Sequence, residues 1–326
     1  MNQVKTAELE ERIYQDYATV AGIIVLKNGQ LQYENYFNSC TKNSRIHIYS
    51  VTKSILSILI GIAMDKGYLK SCNQKVLDFF PDYTVKRKEN AIQNITLGNL
   101  LTMTAPYKYK YFVPYIKYFK SSDSVRFTLD LLGGKRQIGK FRYTPVIGPD
   151  ILSGILTRAA GRTVLDFASE YLFSPLGITV EKSIVFQSKE EQIAFNSSKE
   201  ISGWVSDPAG VNTGGWGLTM APSDMAKIGQ LYLDGGVWNG RQILPSEWIK
   251  ESTEVQSKWR NLSYGYLWWI IDEKEHAYAA LGDGGNVIYV NERKNLVAAV
   301  TSLFAPRAKD RIALIREHIE PMFENG

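Results

Sequence analysis

The stretch "RIHIYSVTKSILSILIGIAMDKG", residues 45–67, decides how the rest of the 326-residue chain is read. Ser50 and Lys53 stand at its polar head, ahead of a long apolar run. On a helix that spacing places both side chains on one face, with Cβ atoms about 5–6 Å apart. Serine is a favoured helix N-cap, and on the tetrapeptide alone capping is the simpler reading. The run that follows changes the balance. Its apolar residues cover nearly every face, which predicts a buried helix over 50–66 with Gly67 as its stop. A lysine inside such a helix is costly unless it is paired or working. Burial also lowers the pKa of an amine, so Lys53 could take the proton of the Ser50 hydroxyl and activate a weak nucleophile. The helix N-terminus would add backbone N–H groups where a carbonyl oxygen gains charge.

Upstream, residues 7–18 read as an amphipathic helix. In "AGIIVLKNGQLQYENYF" two apolar runs flank Asn28-Gly29, a hairpin signal that predicts strands at about 20–27 and 30–37. Downstream, residues 75–210 carry helical stretches broken by Pro and Gly, among them "TLGNLLTMT", "ILSGILTRAAG" and "TVLDFASEYLFSPLGI". A further helix, "APSDMAKIGQLYLDGG", opens at Ser223 and Asp224 and ends at Gly235-Gly236. Then "YGYLWWII", "AYAALG", "NVIYVN" and "NLVAAVTSLF" are short β-rich runs. "KDRIALIREHIEPMF" is helical by periodicity. Strands at both chain ends predict one antiparallel sheet, built from residues 1–74 and 211–326, with 75–210 inserted as a helical subdomain. No internal repeat or low-complexity tract is visible.

Composition bounds the function classes. The chain is 44% hydrophobic and 22% charged, as expected of a soluble globular protein. Its net charge of +5 is thin and scattered, and the basic cluster "VKRKENA" reads as a solvated loop, which argues against nucleic-acid binding. Cys40 and Cys72 have no metal spacing, and His47, His276 and His318 form no ligand pair, so no metal site is implied. "ILSILIGIAM" is about half the length of a membrane span. The charged N-terminal segment is not a signal peptide, so a cytoplasmic location is the expectation, although a chain whose leader had been removed would look the same.

Taken in order, the segments resemble a known family. "YSVTKSILSILIGIAMDKG" is similar to the nucleophile helix of the serine β-lactamase and penicillin-binding-protein superfamily, whose first motif is S-x-x-K. "NQKVLDFFPDY" and "ITLGNLLTMTA" resemble the segment that follows it. "FRYTPVIGPDILSGILTRAAGRTVLDFASEYLFSPLGI" resembles the Tyr-x-Asn region, "GGWGLTMAPSDMAKIGQLYLDGGVWNGRQIL" the Gly-rich segment and helix, and "LGDGGNVIYVNERKNLVAAVTS" the strand of the third motif. Within the superfamily the similarity is to the class C-like branch of esterases, D-amino-acid peptidases and amide hydrolases.

The resemblance implies an α/β (α+β) fold of the β-lactamase/transpeptidase type, with an antiparallel sheet, flanking helices and the inserted helical subdomain. It implies an acyl-enzyme on Ser50, with Lys53 and Tyr143 moving protons and no cofactor. Tyr143 otherwise reads as a buried aromatic with its hydroxyl tied down. The resemblance also implies that the Asn286 N–H joins the Ser50 N–H as an oxyanion hole. Gly284 and Gly285 would let substrate approach the strand backbone, although "GDGG" alone reads as a plain turn, and Trp216 reads equally as a wall of the cleft or as part of a Gly-Gly-Trp turn packed on the core. Two departures stand out. Pro145 occupies the place of the usual Asn, and Asp283 stands where a cationic or His residue is common. A carboxylate there should repel a substrate carboxylate, which favours a neutral or cationic ester or amide over penicillinase or D,D-peptidase substrates. The same departures motivate a second reading, a catalytically inactive penicillin-binding or sensor protein on this fold. A third is a transferase that passes the acyl group to an amine. The partner expected is a small-molecule or peptide-like ester or amide, and the sequence is silent on oligomeric state.

Overall fold

The computed structural model describes residues 3–86, 89–109 and 114–323. The cluster "VKRKENA" lies partly outside this set, since Arg87 and Lys88 are not described. Helix α1 (Gln3–Asp16) leads into strands β1 (Val20–Lys27) and β2 (Gln30–Tyr36), joined at Asn28-Gly29, both with positive φ. These two strands then wait for partners from the far end of the chain. Strands β3 (Ser257–Trp259), β4 (Leu262–Tyr264), β5 (Trp269–Asp272), β6 (Ala277–Gly282), β7 (Asn286–Asn291) and β8 (Leu296–Ser302) complete the sheet. The eight strands lie in the order β2-β1-β8-β7-β6-β5-β4-β3, each antiparallel to its neighbours.

Both faces of the sheet are covered, and period-2 alternation assigns side chains to each. Ile23, Val25, Val287, Tyr289, Ala298 and Val300 face a core closed by Leu9 and Ile13 of α1 and by Leu314, Ile315 and Ile319 near the C-terminus. Ile24, Ile288, Val290, Val297 and Ala299 face the larger core. That core runs without a break into helix α2 (Val51–Asp65) and helix α3 (Gly148–Ala160). Residues Val51 to Ala63 are all buried, as the all-round apolar pattern requires. Gly67 follows α2 with φ +77°, the left-handed conformation that suits a helix stop.

Helix α4 (Pro222–Leu233) lies across the sheet, starting one residue before the expected Ser223 because Pro222 occupies its first turn. Asp224 is an ion-pair partner of Arg45 rather than the cap. The C-terminal helical segment begins at Arg311, widens over Ile315–Ile319 and tightens into a 3₁₀ turn over Glu320–Met322. Among the described residues no helix is long and apolar enough to cross a membrane.

Close helix–sheet packing depends on Gly229 of α4. A Cβ there would stand 2.5 Å from Val297 Cγ1 and 3.1 Å from Ile288 Cγ2. Gly229→Val should therefore lower the unfolding free energy by about 1–3 kcal/mol through overpacking. Urea titration should show a lower midpoint with an unchanged m-value.

Candidate active site

The site forms where the turn before α2 meets the β6–β7 hairpin and the segments at 143–150 and 213–217. Tyr49 has φ +48°, a strained conformation for a residue with a Cβ. Its ring is held between His47, with centroids 3.9 Å apart, and Phe304, at 5.2 Å. The tight turn lets backbone carbonyls satisfy the first N–H groups of the helix. Val51 N donates to Ile48 O, Thr52 N to Tyr49 O and Lys53 N to Ser50 O. The Ser50 side chain makes no cap hydrogen bond. Among the described residues the Ser50 N–H has no backbone acceptor. So the helix end is closed without the Ser50 hydroxyl, and that hydroxyl turns to Lys53.

Lys53 is 1% exposed. Its Nζ donates to three oxygens: Ser50 Oγ at 2.6 Å, Pro145 O at 2.7 Å and Gly215 O at 3.0 Å. Burial drives its pKa down to about 7, against the opposing pull of Asp283 and Asp150. A neutral Lys53 can keep two N–H bonds to the carbonyls while its lone pair accepts from Ser50 Oγ–H. The two carbonyls thereby aim the amine at the hydroxyl.

Tyr143 is half-buried, and its ring centroid lies 5.2 Å from Lys53 Nζ. Burial pushes its phenol up to about 12, despite a hydrogen bond with Ser50 that pulls the other way. It is therefore a protonated donor at neutral pH. Trp269 of β5 packs on it at 5.4 Å and Tyr264 of β4 at 6.3 Å. Strand alternation explains the pair in "YGYLWWII": Trp268 is buried and donates to Tyr232 Oη at 3.0 Å, while Trp269 faces Tyr143.

The third-motif hairpin is brought in by Gly282, which the sequence reading did not single out. A Cβ there would lie 2.2 Å from Ile48 O, so only glycine lets the end of β6 approach the turn before Ser50. Gly284 and Gly285 have other reasons to be glycine. Their φ angles are +79° and +97°, and a Cβ on Gly285 would lie 2.8 Å from Arg311 Nε. Asp283 is exposed at the tip of the hairpin, near enough to Lys53, Tyr49 and Tyr143 to influence all three. The Asn286 side chain is buried and committed to the hairpin: Oδ1 accepts from Ser302 N at 3.0 Å and Nδ2 donates to Asp283 O at 3.0 Å.

Trp216 is largely buried, and its Nε1 donates to Tyr118 Oη at 3.2 Å. Its ring meets Phe119 edge-on at 5.5 Å and, with Phe119 and Phe186, lines a cavity of about 280 Å³. Pro145, which lacks a polar side chain, contributes its carbonyl to Lys53 instead. Gly215 supplies the matching carbonyl, and nothing in the sequence reading pointed to it. Among the described residues no group of His, Cys, Asp or Glu is arranged to hold a metal ion.

His47 was read only as an isolated histidine, yet it buttresses the site. Its Nε2 accepts from Gly217 N at 3.0 Å, and its Nδ1 contacts Asn196 Oδ1 at 3.0 Å. The backbone donor fixes Nε2 as the acceptor, so Nδ1 carries the proton. Burial pushes its pKa down to about 3.

The family model described as Beta-lactamase matches residues 8–320, and the chain belongs to that family. A 6-aminohexanoate-dimer hydrolase of Paenarthrobacter ureafaciens is 22% identical over 89% of this chain and 74% of its own length. A penicillin-binding protein homologue from Caulobacter crescentus superposes with a TM-score of 0.72 at 17% identity, over 96% of this chain and 95% of that one. A hydrolase with promiscuous acyltransferase activity superposes with a TM-score of 0.73 at 14% identity, over 97% and 98% of the two chains. At these identities the structural matches establish the β-lactamase/transpeptidase fold.

Nitrogen-detected NMR of His47 tests its buttressing geometry. The ring should stay neutral, with the proton on Nδ1, from about pH 5 to pH 9. A titration within that range would show that the Gly217 N–H bond does not hold.

Proposed function

We propose that this protein is a serine acyl hydrolase that forms an acyl-enzyme on Ser50, acting on a neutral or cationic ester or amide. The observation that carries this reading is the 2.6 Å contact between Lys53 Nζ and Ser50 Oγ, with the remaining Lys53 hydrogens engaged by two backbone carbonyls. Lys53 accepts the Ser50 proton as Oγ bonds to the substrate carbonyl carbon, and the carbonyl π pair moves onto oxygen. The Ser50 N–H, together with the Asn286 N–H, stabilises that oxygen. When the tetrahedral centre collapses, the bond to the leaving group breaks and Tyr143 Oη–H supplies the proton that the leaving group takes up. The Lys53 ammonium then restores the Tyr143 proton. Water repeats the attack on the acyl-enzyme and releases the acid, and an amine in its place would give acyl transfer.

The base in this scheme has a pKa of about 7 and the acid one of about 12, so both start in the required state near neutrality. The family membership and the hydrolases among the similar proteins support the general class. The exposed Asp283 supports the substrate preference, because a carboxylate at the mouth disfavours an anionic substrate.

Intact-mass spectrometry after exposure to a fluorophosphonate tests the nucleophile. A single adduct on Ser50 is expected, absent in Ser50→Ala. Its rate of formation should rise with pH through about 7, because only neutral Lys53 can take the proton. Lys53→Met should slow it by about 100-fold or more. A folded wild-type protein that takes no adduct would sink the hydrolase reading and favour the inactive binding protein. For the substrate preference, Asp283→Asn should raise kcat/KM for a carboxylate-bearing ester about 10-fold relative to its neutral analogue. An unchanged ratio would remove Asp283 from substrate selection.

A further inference from the structure

Asp150, in the first turn of α3, is fully buried and lies outside the scheme above. Its Oδ2 accepts from Tyr118 Oη at 2.6 Å, and its Oδ1 accepts from Gly214 N at 2.8 Å. Tyr118 Oη in turn accepts from Trp216 Nε1 at 3.2 Å. Gly214 immediately precedes Gly215, whose carbonyl accepts from Lys53 Nζ at 3.0 Å. The carboxylate and the amine thus grip adjacent peptide groups of the same short segment.

The two carbonyls that hold Lys53 come from two backbone segments pressed together. A Cβ on Gly214 would lie 2.4 Å from Pro149 O, and one on Gly215 would lie 2.4 Å from Val146 O. Side chains are excluded from this contact, so few interactions can keep the segments in register. The Asp150–Gly214 hydrogen bond is one that spans them directly. A buried carboxylate is costly unless its acceptors are used and an opposite charge lies near. Here one acceptor is used by the phenol, one by the peptide, and the nearby cation is Lys53.

We propose that Asp150 is a positioning residue for the Ser50–Lys53 pair. Its carboxylate ties Gly214–Gly215 to the 145–150 segment, so that the Gly215 and Pro145 carbonyls aim the Lys53 amine at Ser50. Its negative charge also sets how readily that amine gives up its proton. This inference rests on the reading of Lys53 as the proton acceptor for Ser50.

The charged and titratable groups around the pair are few. Lys53 is faced by Asp150, by Asp283 from the β6–β7 hairpin and by the Tyr143 ring. Asp150 is faced by Tyr118, by Lys53 of α2, by Asp207 and by Tyr107. Burial is the largest influence on Asp150 and raises its pKa to about 7, while Lys53 and the two hydrogen bonds pull it down. The two groups thus change charge over the same pH range and answer to one another. The sign is fixed by electrostatics: an anionic Asp150 stabilises the ammonium and raises the Lys53 pKa. Removing that charge lowers it, so neutral Lys53 persists to lower pH.

The test follows Ser50 modification by a fluorophosphonate as a function of pH in the full chain. Asp150→Asn keeps an oxygen for Gly214 N and removes the charge. It should retain modification, with the acidic limb displaced to lower pH by about half a unit or more. Asp150→Ala removes the tie as well, and its plateau rate above the limb should fall about 10-fold or more, with the limb displaced likewise. Tyr118→Phe deletes the bond to Oδ2, together with the one that Trp216 Nε1 donates to the phenol, and leaves the Gly214 tie in place; losing the bond to Oδ2 favours protonated Asp150. Its limb should move in the same direction by less, and it carries the charge test if the Asp150 variants do not fold. An acidic limb unmoved in Asp150→Asn, or in Tyr118→Phe where that variant alone folds, overturns the role of the charge. A wild-type rate in Asp150→Ala overturns the role of the tie. Failure of the wild type to be modified would instead refute the nucleophile reading itself, so the two failures are distinguishable.

Discussion

The structure of this site depends on a lysine amine taken out of water. Lys53 sits in a helix whose every face is packed, and an ammonium in that position is expensive. The fold answers with three oxygens, two of them main-chain carbonyls that cannot be lost by substitution. The same desolvation that makes the lysine costly brings its pKa to about 7. Stability and chemistry are opposed here in one residue, and the geometry of Pro145 O and Gly215 O reconciles them by fixing where the lone pair points.

Backbone meeting backbone is the second constraint, and it accounts for the glycines that matter. Gly282 against Ile48 O, Gly214 against Pro149 O and Gly215 against Val146 O are three places where a methyl group has no room. Together they draw the hairpin, the 145–150 segment and the Gly-rich segment onto the turn at Tyr49. The strain in Tyr49 belongs to the same design. A left-handed residue before the helix lets the Ile48, Tyr49 and Ser50 carbonyls absorb the first helical N–H groups, which frees the Ser50 hydroxyl from capping. Sheet, helix and hairpin then converge on one polar point inside an apolar core.

Much of the fold was legible in the chain. The strand boundaries around Asn28-Gly29 and the buried helix after Ser50 were visible because each rests on local rules, turn chemistry in one case and all-round apolarity in the other. The expected helix at "TLGNLLTMT" is in fact a single short turn, Leu97–Leu101, because Thr102 and Met103 leave the helix, the latter with φ +54°. On its own "GDGG" reads as a turn, and the positive φ of Gly284 and Gly285 and the nearby Arg311 side chain give that reading its physical reason. Pro145 was read as a loss because only its side chain was considered, and its carbonyl proved to be the relevant group.

By itself the sequence determined that a serine and a lysine share one face of a buried helix and that strands at both ends make the sheet, which follow from spacing and periodicity. That Tyr143 and the Asp283 hairpin belong with them was what the resemblance to the family implied. Only the tertiary structure decided which groups surround the amine. Pro145 O, Gly215 O and Asp150 come from distant segments, and their contributions are main-chain carbonyls or a buried carboxylate aimed by packing. A carbonyl is present at every residue, so no sequence pattern marks the two that matter. Their selection is a consequence of close approach in three dimensions, where glycine removes the steric barrier and burial removes the water that would otherwise compete.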